Sequence, residues 1–243
     1  MTKKIKDTKD RQFDDFDVFA SDYRDILRDN IKITGVDSDY FSDHKIRVLQ
    51  EYENYSNLDQ IKFLDFGCGD GNSSKFFTKH FQKGQYVGID ISVESIEIAN
   101  KNIAKNVAFK HFDGLSIPFE DNSFDMVFTA CVLHHIEFIN HPQIFKEILR
   151  VLKPGGKFYI FEHNPFNPIT RRIVNTCQFD EDAVLLYPNY TRNTLTKNGF
   201  SDISINYILF FPRHKLFNLF IKFERFFRKL FIGGQYYAVG TKN

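Results

Sequence analysis

The run Leu64-Asp-Phe-Gly-Cys-Gly-Asp-Gly71 constrains this chain more than any other feature. It is an apolar, strand-like segment that breaks into alternate glycines before a helical stretch begins. Glycine enters the left-handed backbone region without a Cβ clash and lets a ligand approach the main-chain amides. The helix that follows turns its positive end toward the same place. A tight strand-to-helix connection has the same local signature, so the surrounding pattern has to decide between the two. Short apolar strands are predicted at Ile61–Phe66, Gln85–Ile89, Val107–His111, Phe124–Thr129 and Lys157–Glu162. Helices are predicted between them, through about Phe81, from Ser92 to about Lys105, and from Gln143 to Leu152. That alternation predicts an open parallel sheet with right-handed crossovers. A strand at Ile203–Phe211, a helix at Lys215–Phe231 and an edge strand at Tyr236–Thr241, able to run antiparallel, complete the pattern.

Composition narrows the class. A chain of 243 residues with 42% hydrophobic content suits one domain with its own core. Its parts are read as an N-terminal helical cap over 1–58, a ligand-binding core over 59–163 and an acceptor-side segment over 164–243. Lys and Arg number 32 against 31 acidic residues, which disfavours a globally basic nucleic-acid binder. No apolar run approaches the roughly 20 residues of a membrane span. Met1–Arg11 alternates Lys and Asp, unlike a signal peptide. Cys68, Cys131 and Cys177 lie far apart, matching neither a zinc spacing nor a disulfide framework. A reduced, cytoplasmic protein without a metal site is the expectation.

In such a sheet, ligands bind beyond the carboxyl ends of the strands, where strand order reverses. A dinucleotide fingerprint places glycine at the first, third and sixth positions; here Gly67 and Gly69 fit but Asn72 does not. No Lys-Ser or Lys-Thr pair follows, so the phosphate-cradling Walker loop is excluded as well. The second strand ends at Asp90, placed to accept both hydroxyls of a ribose or to cap the helix opened by Ser92. Asp113-Gly114 follows the third strand, where a carboxylate can take an adenine amino group.

As a set, these residues resemble the class I S-adenosylmethionine-dependent methyltransferases. Leu64 to Gly71 is similar to that family's first motif, and Gly88-Ile-Asp-Ile-Ser92 to its ribose-binding motif. Phe112-Asp113 with Ile117-Pro-Phe-Glu-Asp-Asn-Ser-Phe-Asp125 resembles the adenine-binding motif and fourth strand, and Leu152-Lys-Pro-Gly-Gly-Lys157 the turn into the fifth. The resemblance covers about residues 61 to 162. It implies a doubly wound, seven-stranded, mostly parallel Rossmann-like sheet with an N-terminal helical cap and an amphipathic helix before the last strand. It also implies S-adenosylmethionine as cofactor, contacted by Tyr23, Asp65, Gly67, Cys68, Gly69, Asp90, Ile91, Asp113, Gly114 and Ala130. Tyr23 belongs to a segment resembling a cap helix that closes over the cofactor; as a lone aromatic it fits a core position equally well.

A sulfonium is already an activated methyl donor, so alignment supplies much of the acceleration, and a base is needed only for a protonated acceptor. Candidates stand after strands four and five. His163 is the first choice as base, His135 (or His134) the second, with Glu162 or Asn164 orienting the acceptor. Pro165 to Asn189 is expected to wall the acceptor pocket. The Glu162-His-Asn-Pro165 run, with Thr170-Arg-Arg172 and Phe179-Asp-Glu-Asp-Ala183, looks like one bacterial subgroup of the family.

The Arg213–Phe231 segment sets an apolar stripe opposite six cations and one carboxylate. It fits a packed helix or lid best, with membrane-surface contact a weaker alternative. The expected reaction is methyl transfer to a hydroxyl or amine of a small or carrier-linked molecule. DNA-base chemistry is disfavoured because Thr129-Ala-Cys-Val132 stands where enzymes acting on exocyclic base nitrogens carry an Asn/Asp-Pro-Pro-aromatic run. An RNA methyltransferase and a non-catalytic S-adenosylmethionine-binding protein are the alternatives. Oligomeric state is not legible.

Overall fold

The computed structural model describes residues 37–52, 60–101, 103–177, 180, 183–211 and 223–243. Seven strands form one sheet: β1 (Lys62–Phe66), β2 (Gln85–Asp90), β3 (Val107–His111), β4 (Phe124–Ala130), β5 (Leu152–His163), β6 (Phe200–Ile208) and β7 (Gln235–Lys242). Their order is β3-β2-β1-β4-β5-β7-β6. The first five strands pair in parallel, whereas β7 is antiparallel to both β5 and β6. Strand order therefore reverses at β1, and the crevice lies between the carboxyl ends of β1 and β4.

The two faces follow from the period of the strands. Leu64, Phe66, Val127, Phe158 and Ile160 bury on one face, while Phe63, Met126, Phe128, Tyr159 and Phe161 bury on the other. The first face is covered by α4 (His141–Val151) through Ile144, Phe145 and Ile148, and by α6 (Pro188–Lys197) through Leu195. The second is covered by α1 (Ser38–Tyr52) through Ile46, Val48 and Leu49, and by α2 (Asn72–His80) through Phe77. Polar contacts fix α1 on α2: Asn72 Nδ2 donates to Ser42 Oγ at 3.1 Å, and Lys75 pairs with Asp39 at 2.7 Å.

Several boundaries depart from the sequence expectation. The helix after β2, α3 (Val93–Ala99), is capped by Ser92, whose side chain accepts the Ser95 N–H at 3.0 Å, but it stops well before Lys105. Ile103, the one apolar residue left to anchor further turns, is exposed. The Lys153-Pro-Gly-Gly156 stretch is part of β5, entered by a register shift between Phe124 and Met126. β6 begins at Phe200 and ends at Ile208. Tyr23 and residues 213–222 lie outside the described residues. Of the amphipathic segment, only α7 (Glu224–Phe227) is helical among the described residues, and its burial inverts the expected pattern. Glu224 is buried and accepts the Phe210 N–H at 2.8 Å, whereas Phe226 is 67% exposed.

One helix, α5 (Pro168–Thr176), lies within the stretch expected to wall the acceptor pocket, and α6 begins at its end. In α5, Asn167 caps the start by accepting the N–H groups of Ile169 and Thr170, and Pro168 takes the first turn. α6 also begins with a proline, Pro188.

Candidate active site

The glycine turn after β1 carries left-handed backbone at Gly67 (φ 76°), Gly69 (φ 52°) and Gly71 (φ 77°). At Gly67 a Cβ would meet Val132 Cγ2 at 2.5 Å, so the missing side chain lets the segment after β4 close against the turn. At Gly69 nothing lies within 4 Å of a Cβ, so the space where a side chain would stand is open. Asp90 borders that space: Oδ2 accepts the Gly69 N–H at 2.7 Å and Oδ1 the Ser92 N–H at 2.9 Å. These bonds fix the orientation of its carboxylate at the edge of that space. An open turn beside an oriented carboxylate fits S-adenosylmethionine.

The other cofactor candidates are distributed around this cradle. Asp65 is buried beneath it and accepts the Tyr86 O–H. Burial pushes its pKa up to about 7, against the pull of Tyr86 and the Lys45 ammonium. Cys68 is buried, and burial raises its thiol well above the ordinary range. Ile91 packs against the core and Ala130 ends β4. Asp113 Oδ1 accepts the N–H groups of Leu115 and Ser116, at 2.9 and 2.6 Å, which holds its carboxyl below the usual value. Asp125, by contrast, is structural: it accepts the Lys62 N–H and pairs with Lys153.

Lys45 on α1 was not legible as a site residue. It is 8% exposed and close enough to Asp65, Cys131 and His163 to act electrostatically on all three. A single lysine in an amphipathic helix carries no sequence signal for this.

The polar cluster stands where β4 and β5 end. Cys131, just past β4, has φ 58°, a strained value for a residue other than glycine. It turns the chain into the short 3₁₀ segment Leu133–His135. His134 Nδ1 lies 2.6 Å from Glu162 Oε2, and Glu162 Oε1 accepts the Leu133 N–H at 3.1 Å. Glu162 is 0% exposed, so it positions His134 and does not itself face an acceptor. His135 and His163 flank His134, with ring centroids 4.2 and 5.3 Å away. Asp180 lies on the far side, its Oδ1 3.4 Å from His134 Nε2.

Electrostatics separates the three imidazoles. Burial disfavours charge on His134, but Glu162 and then Asp180 overcome it and push the pKa up to about 10. Burial, with the charge on His134, brings both His135 and His163 down to about 4. Glu162 is raised by burial yet held below its ordinary value by His134. The cluster thus pairs one imidazolium with two neutral imidazoles.

Asn164 does not orient an acceptor. Its Nδ2 donates to the carbonyls of Phe231 and Gly233, both at 2.7 Å, and its Oδ1 accepts the Phe166 N–H. Asn167 Nδ2 donates to Ile232 O and Thr170 Oγ1 to Gly234 O. The two asparagines therefore bind the loop after β5 to the approach to β7, which holds His163 in place from both sides.

Fold and site together are similar to those of class I S-adenosylmethionine-dependent methyltransferases. Residues 64–160 match the family model described as a methyltransferase domain. Among curated proteins, a demethylmenaquinone methyltransferase of Lactobacillus johnsonii is 34% identical over 115 residues, 44% of this chain and 46% of that protein. The chain spans about half the length of the curated relatives it matches. Solved structures share the fold. A SAM-dependent methyltransferase of Archaeoglobus fulgidus superposes with a TM-score of 0.62 at 18% identity, over 83% of this chain and 94% of that one. One from Thermotoga maritima, described as a possible histamine N-methyltransferase, gives 0.63 at 19% identity, over 96% and 100%.

Proposed function

We propose that this chain transfers a methyl group from S-adenosylmethionine to a hydroxyl of a small or carrier-linked molecule by in-line displacement. The observation that carries this reading is the histidine cluster at the ends of β4 and β5, adjoining the cradle formed by Gly67, Gly69 and Asp90. Relatives named demethylmenaquinone methyltransferases support a small-molecule acceptor. Three free thiols, and the absence among the described residues of a helix long and apolar enough to cross a membrane, support a cytoplasmic place.

When bound, S-adenosylmethionine supplies a methyl group on a positively charged sulfur. Asp90 and the Gly69 loop hold the nucleoside end, and Asp65 and Lys45 face its amino-acid end with opposite charges. His163, neutral and half-buried beside His134, takes the acceptor proton. His134, buried and fixed by Glu162, adds a positive charge behind His163 that acts at short range on the oxygen as it becomes negative. A non-catalytic binder would keep the cradle without needing this cluster, so the cluster favours turnover.

Two measurements test the reading. Asp90→Ala should weaken calorimetric binding of S-adenosylhomocysteine by about 2 kcal/mol, the worth of a charged hydrogen bond. His163→Asn should leave that binding intact and lower kcat about 100-fold on any accepted hydroxyl. Folded wild-type protein that binds neither S-adenosylmethionine nor its product would exclude the proposal.

A further inference from the structure

Two imidazoles and a carboxylate converge beside Glu162 in a way that ion pairing does not exhaust. Asp180 Oδ1 lies 3.4 Å from His134 Nε2 and 3.5 Å from His135 Nε2, and the donor atoms of all three residues fall within 4.8 Å of one another. His134 Nε2 is buried without a hydrogen bond, although Asp180 is its neighbour, because the angle between them is poor. A side chain sealed from water seldom leaves a polar atom unused.

The spacing suits a shared ion. Donors about 2.1 Å from a tetrahedral zinc stand roughly 3.4 Å apart, the separation seen along both edges that meet at Asp180. The support behind the donors suits one too. Glu162 takes the Nδ1 side of His134 at 2.6 Å and is itself pinned by the Leu133 N–H. A carboxylate in that position keeps the Nδ1 proton and, once the incoming ion displaces the Nε2 proton of the imidazolium, aims the Nε2 lone pair at the metal. Mixed imidazole and carboxylate donors favour a borderline divalent ion over magnesium or calcium.

We propose that His134, His135 and Asp180 form a binding site for a divalent transition-metal ion of the zinc type. Three protein ligands leave a coordination position for water or for an acceptor oxygen. An ion there would polarise that oxygen and ease loss of its proton. This last role rests on the methyl-transfer reading; binding of the ion does not. Sequence spacing gave no hint of the site, because Asp180 lies far along the chain from the adjacent histidines.

The test is calorimetric titration of zinc into the chelator-treated full chain, comparing wild type with Asp180→Asn, His135→Gln and His80→Gln. His80 pairs with Asp43 on α1, away from the cluster, and controls for adventitious binding to a histidine–carboxylate pair. One zinc per chain is expected, weakened at least tenfold by Asp180→Asn and by His135→Gln and unchanged by His80→Gln. Cobalt substitution should give the intense visible absorption of a tetrahedral ion in wild type and lose it in Asp180→Asn. Zinc affinity insensitive to both site variants, or no stoichiometric binding by wild type, overturns the site. Thermal unfolding verifies that each variant is folded. S-adenosylhomocysteine titrated into the same samples reads the methyltransferase cradle separately, so loss of one activity is not mistaken for loss of the other.

Discussion

Glu162 and His134 meet at 2.6 Å across the ends of β5 and β4, with both side chains sealed from solvent. The pair joins neighbouring strands at the point where the chain turns away from each, and every other member of the histidine cluster is placed relative to it. Glu162 also holds the Leu133 N–H, so its carboxylate is fully committed to the far side of the cluster.

Removing both partners of this pair is expected to cost less than the sum of removing each. Glu162→Ala leaves the Leu133 N–H without an acceptor and His134 without its counter-charge, and should lower the unfolding free energy by about 3–5 kcal/mol. The double variant Glu162→Ala/His134→Ala should lose less than the sum of the two single losses, with a coupling of about 1–3 kcal/mol. Urea denaturation of the four proteins closes the cycle; additive losses would show that the contact carries no coupling.

Asp65 predicts a pH dependence of the opposite kind from an ordinary ion pair. Its carboxyl is raised from 3.8 to about 7 by burial, so the native state binds its proton more tightly than the unfolded chain does. The contribution is most favourable below pH 4, declines as pH rises toward 7, and is constant above that. Tyr86 and Lys45 favour the carboxylate, while Asp90 opposes it. Asp65→Asn keeps an acceptor for the Tyr86 O–H and removes the buried charge. It should therefore stabilise the protein at pH 8 by about 2–4 kcal/mol and be nearly neutral at pH 4. Denaturation series at both pH values check this, and parallel curves would refute it. Cofactor affinity should move the other way at pH 8, because the variant loses the partner for an ammonium group.

The half of the candidate site proposed to bind cofactor is legible in the sequence because its signals are local. Glycines with positive φ, an acid at the end of the second strand and a capping serine each declare themselves within a few residues, and the sheet order follows from the alternation. The acceptor side depends on contacts between distant residues. His135 and His163 were chosen for their place after strands, yet the residue with the fixed partner is His134, whose carboxylate sits on another strand. Asp180 carried meaning only as part of a resembling run until the fold set it against both histidines. Asn164 reads as a polar site residue because nothing in the sequence shows the carbonyls of Phe231 and Gly233 that it binds. The Asn167-Pro168 start of α5 was a readable helix signal, masked by the expectation of an irregular wall.

Gly67 and Gly69 separate the stability of the turn from its use. Both have left-handed backbone, so alanine at either is strained by about 1–2 kcal/mol. At Gly67 the new Cβ also drives into Val132 at 2.5 Å, which pushes apart the turn after β1 and the segment after β4. Gly67→Ala should therefore be the less stable variant, by a further 1–3 kcal/mol or about that. At Gly69 the Cβ meets nothing, and its whole additional effect falls on whatever occupies the open space. Gly69→Ala should melt close to the temperature set by backbone strain alone, yet bind S-adenosylhomocysteine at least tenfold more weakly. Thermal unfolding and calorimetry on the two variants give both quantities. If Gly69→Ala binds as the wild type does, the cofactor does not pass over this amide, and the cradle drawn from Gly69 and Asp90 is misplaced.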